Sequence, residues 1–330
     1  MNVAAVDLGT NTTRLLVAAV ENGRVEELHR ETRITRLGEG VDTRGRLLPL
    51  PIARVRNALT DYRRTAESLG AERTLLVATS AVRDAENGEA FLGEIEWSYG
   101  FATRLLSGDE EAQLTRRGVE PAPGTLVLDI GGGSTELIVG GFHDSLELGS
   151  VRHTERFLHF DPPEPRELAD CAGAVRSLLA ERVPDDVRAG VTAAIGVAGT
   201  VTTLAALDLG LATYDRDRVH GHRLTRNGAR AQLERLASLP LAERRELPAL
   251  EPERAPVIVA GAVILVETLD YLGLEAIEAS EHDILDGAAL AAAELPAPGE
   301  GAAPSLSLPV STRSVSRSPE RASEPSSPQA

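Results

Sequence analysis

Two stretches of this chain follow one pattern: Ala5-Val-Asp-Leu-Gly-Thr-Asn-Thr-Thr-Arg-Leu-Leu-Val17 and Val127-Leu-Asp-Ile-Gly-Gly-Gly-Ser-Thr-Glu-Leu-Ile-Val139. With Asp129 placed on Asp7, the two stretches share Asp, Gly, Thr, Leu and Val at matching positions. Each is an apolar run ending in Asp, a turn of Gly, Thr, Ser and Asn, and a second apolar run. This order predicts a strand, a tight turn and another strand, rather than a strand followed by a helix.

The composition of these two turns is suited to binding phosphate. Small residues allow an anion to approach the backbone closely, and several N–H groups of one turn can point at the same anion. An Asp at the end of the strand can hold a hydrated divalent cation against that anion. Because each copy opens a block of domain size, the repeat predicts two similar lobes that face one phosphate site.

Composition narrows the possible functions. The 330 residues are 42% hydrophobic but only 3% aromatic, which predicts cores of Leu, Val, Ala and Ile. The net charge of −16 argues against general nucleic-acid binding. Every basic residue is Arg, so no lysine can serve as a nucleophile, Schiff base or phosphate ligand, and charge compensation falls to Arg, backbone amides and metal.

The chain is predicted to be cytoplasmic. Its one cysteine, Cys171, cannot form an internal disulfide framework or a Cys-based zinc site. No stretch reaches the roughly 18 apolar residues of a membrane span. The N-terminus enters a strand at once, without the charged region of a signal peptide. We therefore expect no membrane partner.

One segment departs from the acidic average. From Arg30 to Arg64 there are nine Arg and only four acidic residues. This segment is either a solvated loop and helix face or a local basic rim for a polyanionic substrate.

The chain divides into three predicted regions. Residues 1–120 form the first lobe, and residues 121–295 form the second, whose last helix could pack back on the first lobe. The turn-formers Glu120–Gly124 mark the boundary. Residues 296–330 are rich in Pro and Ser and predict a disordered tail, because they lack the apolar surface that offsets ordering entropy.

The predicted elements repeat in the two lobes. In the first lobe we expect strands near residues 3–8, 14–20, 24–31 and 74–78, a helix over 52–69, a loop over 79–84, and a helix and a strand ending near 106. In the second lobe we expect strands over 125–130 and 135–141 and a third ending near 148. A third Gly-rich turn lies within 194–206; it is either an ordinary strand-to-helix connection or a helix N-terminus that receives an anion.

Several short motifs occur in a fixed order between residues 2 and 292. They are Val6-Asp-Leu-Gly-Thr-Asn11, Ala78-Thr-Ser-Ala-Val-Arg83, Leu106-Ser-Gly-Asp-Glu-Glu-Ala112, Leu128-Asp-Ile-Gly-Gly-Gly-Ser-Thr-Glu136, Leu148-Gly-Ser-Val-Arg152, Val197-Ala-Gly-Thr-Val-Thr-Thr203 and Ala260-Gly-Ala262. In this order and spacing the chain resembles the exopolyphosphatase / guanosine pentaphosphate phosphohydrolase family, within the actin-like ATPase superfamily. Gln113 stands where the family usually has Arg, and the tail and the missing C-terminal domains of long members are further departures.

The resemblance implies an α/β fold of two actin-like (ribonuclease-H-like) lobes and a Mg²⁺- or Mn²⁺-dependent hydrolysis in the cleft between them. It also makes a homodimer the expected assembly. The residues expected to bind phosphate are Gly9, Thr10, Asn11, Thr12, Gly131, Gly132, Gly133, Ser134 and Thr135. The residues expected to hold metal are Asp129, Glu136 and, through water or only as a support of the turn, Asp7.

Glu111 is the expected base that activates water. Ser107-Gly-Asp-Glu110 reads as a capping box, which gives Glu110 a structural task at a helix N-terminus. Glu111 lies about 100° further round that helix and is free of that task. In the resembling family the base is the Glu directly before Ala, which is Glu111 here. Arg83 is expected to hold a phosphate oxygen through its fork of donors, or to form a surface ion pair.

Three functions remain open. The first is hydrolysis of the terminal phosphoanhydride of inorganic polyphosphate, with short chains as candidate substrates. The second is removal of the 5′ γ-phosphate of guanosine pentaphosphate. The third is a non-catalytic phosphate or alarmone sensor, which would have no use for a base at Glu111. His220 and His222 have no third ligand nearby in sequence, so we predict a cleft loop or solvated turn there rather than a zinc site.

Overall fold

The computed structural model describes residues 1–296. Residues 1–295 form one compact unit built from two β-sheets and the helices that cover them. The predicted α/β class is therefore confirmed. The tail predicted over 296–330 lies outside the described residues, apart from Pro296.

The first sheet begins with the first copy of the repeat. Its strands are β1 (Asn2–Leu8), β2 (Thr12–Glu21), β3 (Arg24–Ile34), β4 (Arg73–Ala78) and β5 (Ala102–Leu105). They lie in the order β3-β2-β1-β4-β5. The first three strands form an antiparallel meander, and β4 and β5 add in parallel to β1.

The second sheet repeats this topology from the second copy. Its strands are β6 (Thr125–Ile130), β7 (Thr135–Val139), β8 (Phe142–Leu146), β9 (Ala193–Val197), β10 (Arg223–Thr225) and β11 (Ala276–Ala279). The order is β10-β11-β9-β6-β7-β8, in which β6, β7 and β8 are antiparallel and β9 and β11 add in parallel. Both copies therefore form the predicted strand, turn and strand, each at the centre of a sheet.

The helices lie around these sheets. Those before the second sheet are α1 (Val41–Arg44), α2 (Pro49–Ser68), α3 (Ser80–Arg83), α4 (Gly88–Tyr99) and α5 (Gly108–Val119). Those that follow are α6 (Ser150–Phe157), α7 (Pro165–Arg182), α8 (Asp185–Gly190), α9 (Ala198–Asp208), α10 (Arg216–Val219), α11 (Arg226–Ser238), α12 (Leu241–Arg244), α13 (Ile258–Leu272) and α14 (Ile284–Ala293). The segment predicted as a loop over 79–84 contains the one-turn helix α3, which the short motif did not reveal. No helix within residues 1–296 combines the length and apolar character of a membrane span.

The cores are aliphatic, as the composition predicts. One face of the first sheet packs on α2 and α4, where Tyr62 is the one large aromatic among the fully buried side chains. Helices α9 and α13 pack on the second sheet in a separate core. Helix α14 packs with Leu114 of α5 against the other face of the first sheet, through Ile284 and Ala288. This returns the end of the described chain to the first sheet and places the start of α14 beside β1 and β2.

Candidate active site

The turns of the two repeats meet in one cleft of about 370 Å³. All of the predicted phosphate-binding residues except Thr135 line it, together with the four predicted carboxylates. The lining residues from the sequence prediction are Asp7, Gly9, Thr10, Asn11, Thr12, Glu111, Asp129, Gly131, Gly132, Gly133, Ser134 and Glu136. Thr135 lies elsewhere: its side chain is fully buried and its hydroxyl donates to the Leu148 carbonyl at 2.5 Å.

Both turns are closed by the same hydrogen bond. The Gly9 amide donates to the Thr12 carbonyl at 2.9 Å, and the Gly131 amide donates to the Ser134 carbonyl at 3.0 Å. These two amides are therefore already used within the turns. Among the remaining amides, those of Thr10, Asn11, Gly132, Gly133 and Ser134 have no hydrogen-bond partner among residues 1–296 and are available to an anion.

The carbonyls of each turn are held from behind. In the first turn, the Gly38 amide donates to the Thr10 carbonyl at 2.8 Å, and the Arg36 amide donates to the Asn11 carbonyl at 2.9 Å. In the second turn, the carbonyls of Gly131 and Gly132 accept from the first amides of α6 at 2.9–3.1 Å. Because these carbonyls accept from amides outside the turns, the free amides of the turns remain available to a ligand.

The two turns approach each other so closely that side chains are excluded between them. A Cβ atom on Gly133 would lie 2.1 Å from the Ser80 Oγ and 2.8 Å from the Thr10 Oγ1. Thr10 and Ser80 are themselves joined by a 2.9 Å hydrogen bond between their hydroxyls. Glycine is thus required at this position by contact across the cleft.

The residues opposite the two aspartates differ in charge. In the first hairpin, Asp7 lies directly across from Arg14, whose Nη2 donates to the Asp7 carboxylate at 2.7 Å. In the second hairpin, Asp129 lies directly across from Glu136. All four side chains line the cleft. The first hairpin therefore neutralises its own carboxylate, whereas the second places two carboxylates side by side.

Arg14 and its further partner were missed by the sequence prediction. Arg14 also forms an ion pair with Asp283, which caps the N-terminus of α14 and lines the cleft. Arg14 could have been found, because it occupies in the first copy the place that Glu136 occupies in the second. Asp283 had no local signal, since it is brought here only by the return of α14.

Burial and mutual repulsion perturb the carboxylates on the second hairpin. Burial raises the pKa of Asp129 well above its usual range, and the charge of Glu136 adds to that shift. Burial also raises the pKa of Glu136, although hydrogen bonds from Ser134 and Ser145 oppose the increase. A divalent cation held by the two carboxylates would favour their charged forms and so oppose the shift.

Glu111 faces the cleft and Glu110 does not share its task. The predicted capping box is confirmed: Ser107 accepts from the Glu110 amide, and the Glu110 carboxylate accepts from the Ser107 amide at 2.9 Å. Glu111 is 6% exposed. Burial raises the pKa of Glu111 well above its usual range, with a further increase from Glu136 and an opposing effect of Arg83. A carboxylate with a raised pKa in a cleft is suited to accept a proton.

Arg83 lies behind Glu111 rather than on the cleft lining. Its Nη1 donates to the Leu106 carbonyl at 2.7 Å and lies 3.2 Å from the Glu111 Oε2. Its ion-pair partner among the described residues is the buried Glu111 and not a surface carboxylate. In this arrangement Arg83 orients the Glu111 carboxylate, and its contact with a phosphate oxygen stays a prediction.

The cleft lining is acidic overall. It contains seven carboxylates and four arginines. Each of these arginines already pairs with a carboxylate: Arg14 with Asp7, Arg30 with Asp286, Arg216 with Glu281 and Arg254 with Glu251. A polyphosphate anion therefore meets no unpaired cationic side chain on this lining, and its entry requires added positive charge.

Asp129 and Glu136 fit a hard cation that would supply this charge. They offer oxygen ligands, they are buried, and the charge of Glu136 raises the pKa of Asp129 despite the opposing charge of Arg14. Mg²⁺ commonly binds through one or two carboxylates, several waters and substrate phosphates. Among the described residues, no three His, Cys, Asp or Glu side chains form a ready metal cage. Asp7 is the weaker candidate for a ligand, because its carboxylate already accepts two hydrogen bonds from Arg14.

The third Gly-rich turn is a strand-to-helix connection that also lines the cleft. Strand β9 runs into α9, whose residues Ala198, Gly199 and Thr200 face the cavity. The histidines stand apart from it: His222 pairs with Asp208 at 2.9 Å, and His220 accepts from the Glu281 amide at 3.2 Å. Gln113 is exposed.

Most arginines of the basic segment 30–64 are engaged by other groups. Arg56 binds Glu94, Arg54 binds Glu39, and the Arg54 Nε donates to the Thr35 carbonyl at 2.6 Å. The last contact supports the loop behind the first turn. Arg44 and Arg46 are exposed and form no ion pair with described residues. The structure thus leaves a much smaller basic surface than the sequence suggested.

Two sheets of matching topology that hold one phosphate cleft define an α/β protein built by internal repetition. The Ppx/GppA phosphatase family model matches residues 16–292, and the chain belongs to this family. It is 39% identical to Exopolyphosphatase 2 of Mycobacterium tuberculosis, over 88% of this chain and 98% of that protein.

Solved structures agree with this family assignment. An exopolyphosphatase-like protein superposes with a TM-score of 0.82 at 35% identity, over 87% of this chain and 97% of the other. The Ppx/GppA family member of Aquifex aeolicus gives a TM-score of 0.74 at 30% identity, over 88% of this chain and 97% of that one. The resemblance inferred from the motifs is confirmed.

Proposed function

We propose that this chain is an exopolyphosphatase that hydrolyses the terminal phosphoanhydride of short inorganic polyphosphate and releases phosphate. The observation that carries the proposal is the cleft itself. Two phosphate turns with free amides face each other, and the buried carboxylate of Glu111 opens into the same space. The relative named Exopolyphosphatase 2 supports this choice of substrate.

The residues divide the work as follows. The free amides of Thr10, Gly132 and Gly133 hold the terminal phosphate from two sides. Glu111 removes a proton from the attacking water, and the phosphate chain departs from the opposite side of the phosphorus atom. Arg83 holds the Glu111 carboxylate in place at 3.2 Å. Phosphoryl transfer needs position and charge neutralisation more than covalent help, and this arrangement supplies position.

Charge neutralisation is assigned to Mg²⁺ or Mn²⁺ at Asp129 and Glu136. When bound, the cation would offset the charge of the phosphate and of the acidic lining. The net acidity of the cleft is the reason for this assignment, because the arginines on the lining are all paired already.

Short chains are favoured over long ones. A long polyphosphate requires a continuous basic surface beyond the cleft, and most of the basic segment is neutralised by its own partners. Guanosine pentaphosphate is the alternative substrate. It is favoured by the part of the lining that does not come from the two turns, which includes Thr203, Tyr214 and Ala249.

The test compares phosphate release from inorganic triphosphate, long polyphosphate and guanosine pentaphosphate, with and without Mg²⁺. We expect the highest kcat/KM with triphosphate, and turnover only with the metal. A preference for guanosine pentaphosphate would assign the alternative function. Tight binding of all three without phosphate release would instead indicate a sensor, and Glu111→Gln serves as the inactive control.

A further inference from the structure

A cluster of ion pairs joins the two sheets' helices directly behind the second phosphate turn. Arg152 of α6 forms ion pairs with Asp42 of α1 and Asp84, which follows α3. Arg156, one turn further along α6, also binds Asp42, with its Nε 2.5 Å from the carboxylate. Asp42 and Asp84 come from the part of the chain that carries the first turn, and both arginines from the part that carries the second.

Arg152 alone among these residues also touches the turn. Its Nε donates to the Gly133 carbonyl at 2.8 Å, and its backbone amide donates to the Gly132 carbonyl at 3.1 Å. The side chain is only 11% exposed. One guanidinium therefore fixes the second turn and two carboxylates from the other side of the cleft, a task that suits its planar fork of donors.

The Arg152–Asp84 ion pair is also connected, through α3, to the first turn and to Glu111. Asp84 directly follows α3, whose first residue, Ser80, donates to or accepts from Thr10 of the first turn at 2.9 Å. The last residue of α3 is Arg83, which contacts Glu111. A displacement of α3 relative to the second turn would thus move a part of the first turn and the support of Glu111 together.

We infer that Arg152 is a positioning residue that sets the separation of the two phosphate turns and keeps the amides of the second turn aimed at the substrate. The inference rests on the proposed phosphatase function. Arg152 touches no reacting atom. It acts through the Gly133 carbonyl on one side and through Asp84 and α3 on the other.

The structure offers a variant that removes this device without exposing a buried charge. In Arg152→Gln, Asp42 keeps its contacts with Arg156, and Asp84 is 37% exposed and can be hydrated. Neither carboxylate is left buried and unpaired, so the variant is expected to fold. Arg156→Gln is the matched control, because it removes an arginine from the same helix and the same Asp42 but makes no contact with the turn.

The experiment measures hydrolysis of inorganic triphosphate and, in the Glu111→Gln background, the Kd for triphosphate by calorimetry. We expect Arg152→Gln to raise KM and Kd by about tenfold, the loss of roughly one charge-assisted hydrogen bond. Arg156→Gln is expected to stay within about twofold of wild type. Arg152→Lys retains the charge but cannot reach all three acceptors. Its KM should therefore lie between that of wild type and that of Arg152→Gln.

A variant of the carboxylate partner separates an effect on substrate positioning from an effect on protein stability. Asp84→Asn should raise KM in the same direction, and the effects of Arg152→Gln and Asp84→Asn should be less than additive, since they break one contact. A lower melting temperature with an unchanged KM and Kd in Arg152→Gln would overturn the inference, as would equal effects of Arg152→Gln and Arg156→Gln. If wild type neither binds nor hydrolyses triphosphate, the proposed function fails, and the inference with it.

Discussion

The two hairpins that carry the phosphate turns share a backbone but not an electrostatic design. Both have an Asp at the end of the first strand, the same closing hydrogen bond, and carbonyls held from behind. Across from that Asp the first hairpin has Arg14 and the second has Glu136. This difference at matching places gives the first hairpin a neutral pair of side chains and the second a pair of carboxylates, which is the proposed site for a cation.

The comparison teaches that a repeated motif can divide one task between its copies. Duplication gives two sets of amides around a phosphate, which neutral backbone groups supply equally well from both sides. Binding a cation and activating water are not needed twice. The second hairpin has the acidic pair Asp129 and Glu136. The charges of both carboxylates raise the pKa of Glu111. The first hairpin instead connects through Arg14 to Asp283 and α14.

The largest expected effect concerns Glu111, the proposed base near Asp129 and Glu136 of the second hairpin. Glu111→Gln keeps the shape of the side chain and removes its ability to accept a proton. We expect kcat to fall by about 10²–10⁴-fold while triphosphate still binds. Glu110→Gln is the control, because Gln retains the capping box and Glu110 does not face the cleft. A near-normal kcat in Glu111→Gln would remove the base assignment.

The next effect tests the contact between the two turns. Gly133→Ala places a Cβ atom 2.1 Å from the Ser80 Oγ. The turns must separate, and a displacement of about 1 Å in a catalytic site can cost roughly 10²-fold in kcat/KM. Gly141→Ala, where a Cβ atom meets nothing within 4 Å, should be neutral. Circular dichroism checks that both variants fold, and full activity of a folded Gly133→Ala would contradict the close packing of the turns.

A third experiment sharpens the difference between the hairpins themselves. Asp129→Asn and Glu136→Gln should raise the Mg²⁺ concentration for half-maximal activity by at least about tenfold. Asp7→Asn should change it much less, because Arg14 already occupies that carboxylate. In metal-free buffer at neutral pH, Glu136→Gln should raise the melting temperature, since it removes one of two buried like charges. Equal Mg²⁺ titrations for all three variants would show that the hairpins do not differ in this way.

The smallest expected effect concerns His153, on the helix that lies behind the second turn. His153 of α6 is buried, and burial together with Arg156 and Arg152 lowers its pKa to about 4, against the opposing effects of the Gly149 backbone and of Asp42. The unfolded chain, with an ordinary histidine pKa of 6.5, then binds more protons than the folded chain between these values. Stability is therefore complete above pH 6.5 and is lost as the pH falls toward 4.

The size of this loss is about 1–3 kcal/mol. Melting temperatures measured across this pH range should depend less steeply on pH in His153→Gln than in wild type. His159→Gln, at an exposed position, should retain the wild-type slope. The loop 35–38 behind the first turn contains no group that titrates in this range. Parallel curves for wild type and His153→Gln would exclude His153 as the cause.

The sequence by itself determined the repeated hairpins, the α/β class, and the two turns and four carboxylates that line the cleft. These follow from local rules: alternation of apolar residues, turn-forming glycines, and a capping box that assigned Glu110 and Glu111 different tasks. The residue opposite Asp7 was also readable, because strand pairing across a tight turn follows from the turn itself.

The tertiary structure decided what comes from distant parts of the chain. Asp283 reaches Arg14 only because α14 returns to the first sheet, and Arg152 meets Asp42 and Asp84 only because the two turns face each other. It also showed that most arginines of the basic segment are paired. Ion pairs and close approaches depend on distances between side chains far apart in sequence, and a linear pattern carries no information about those distances until the chain has folded.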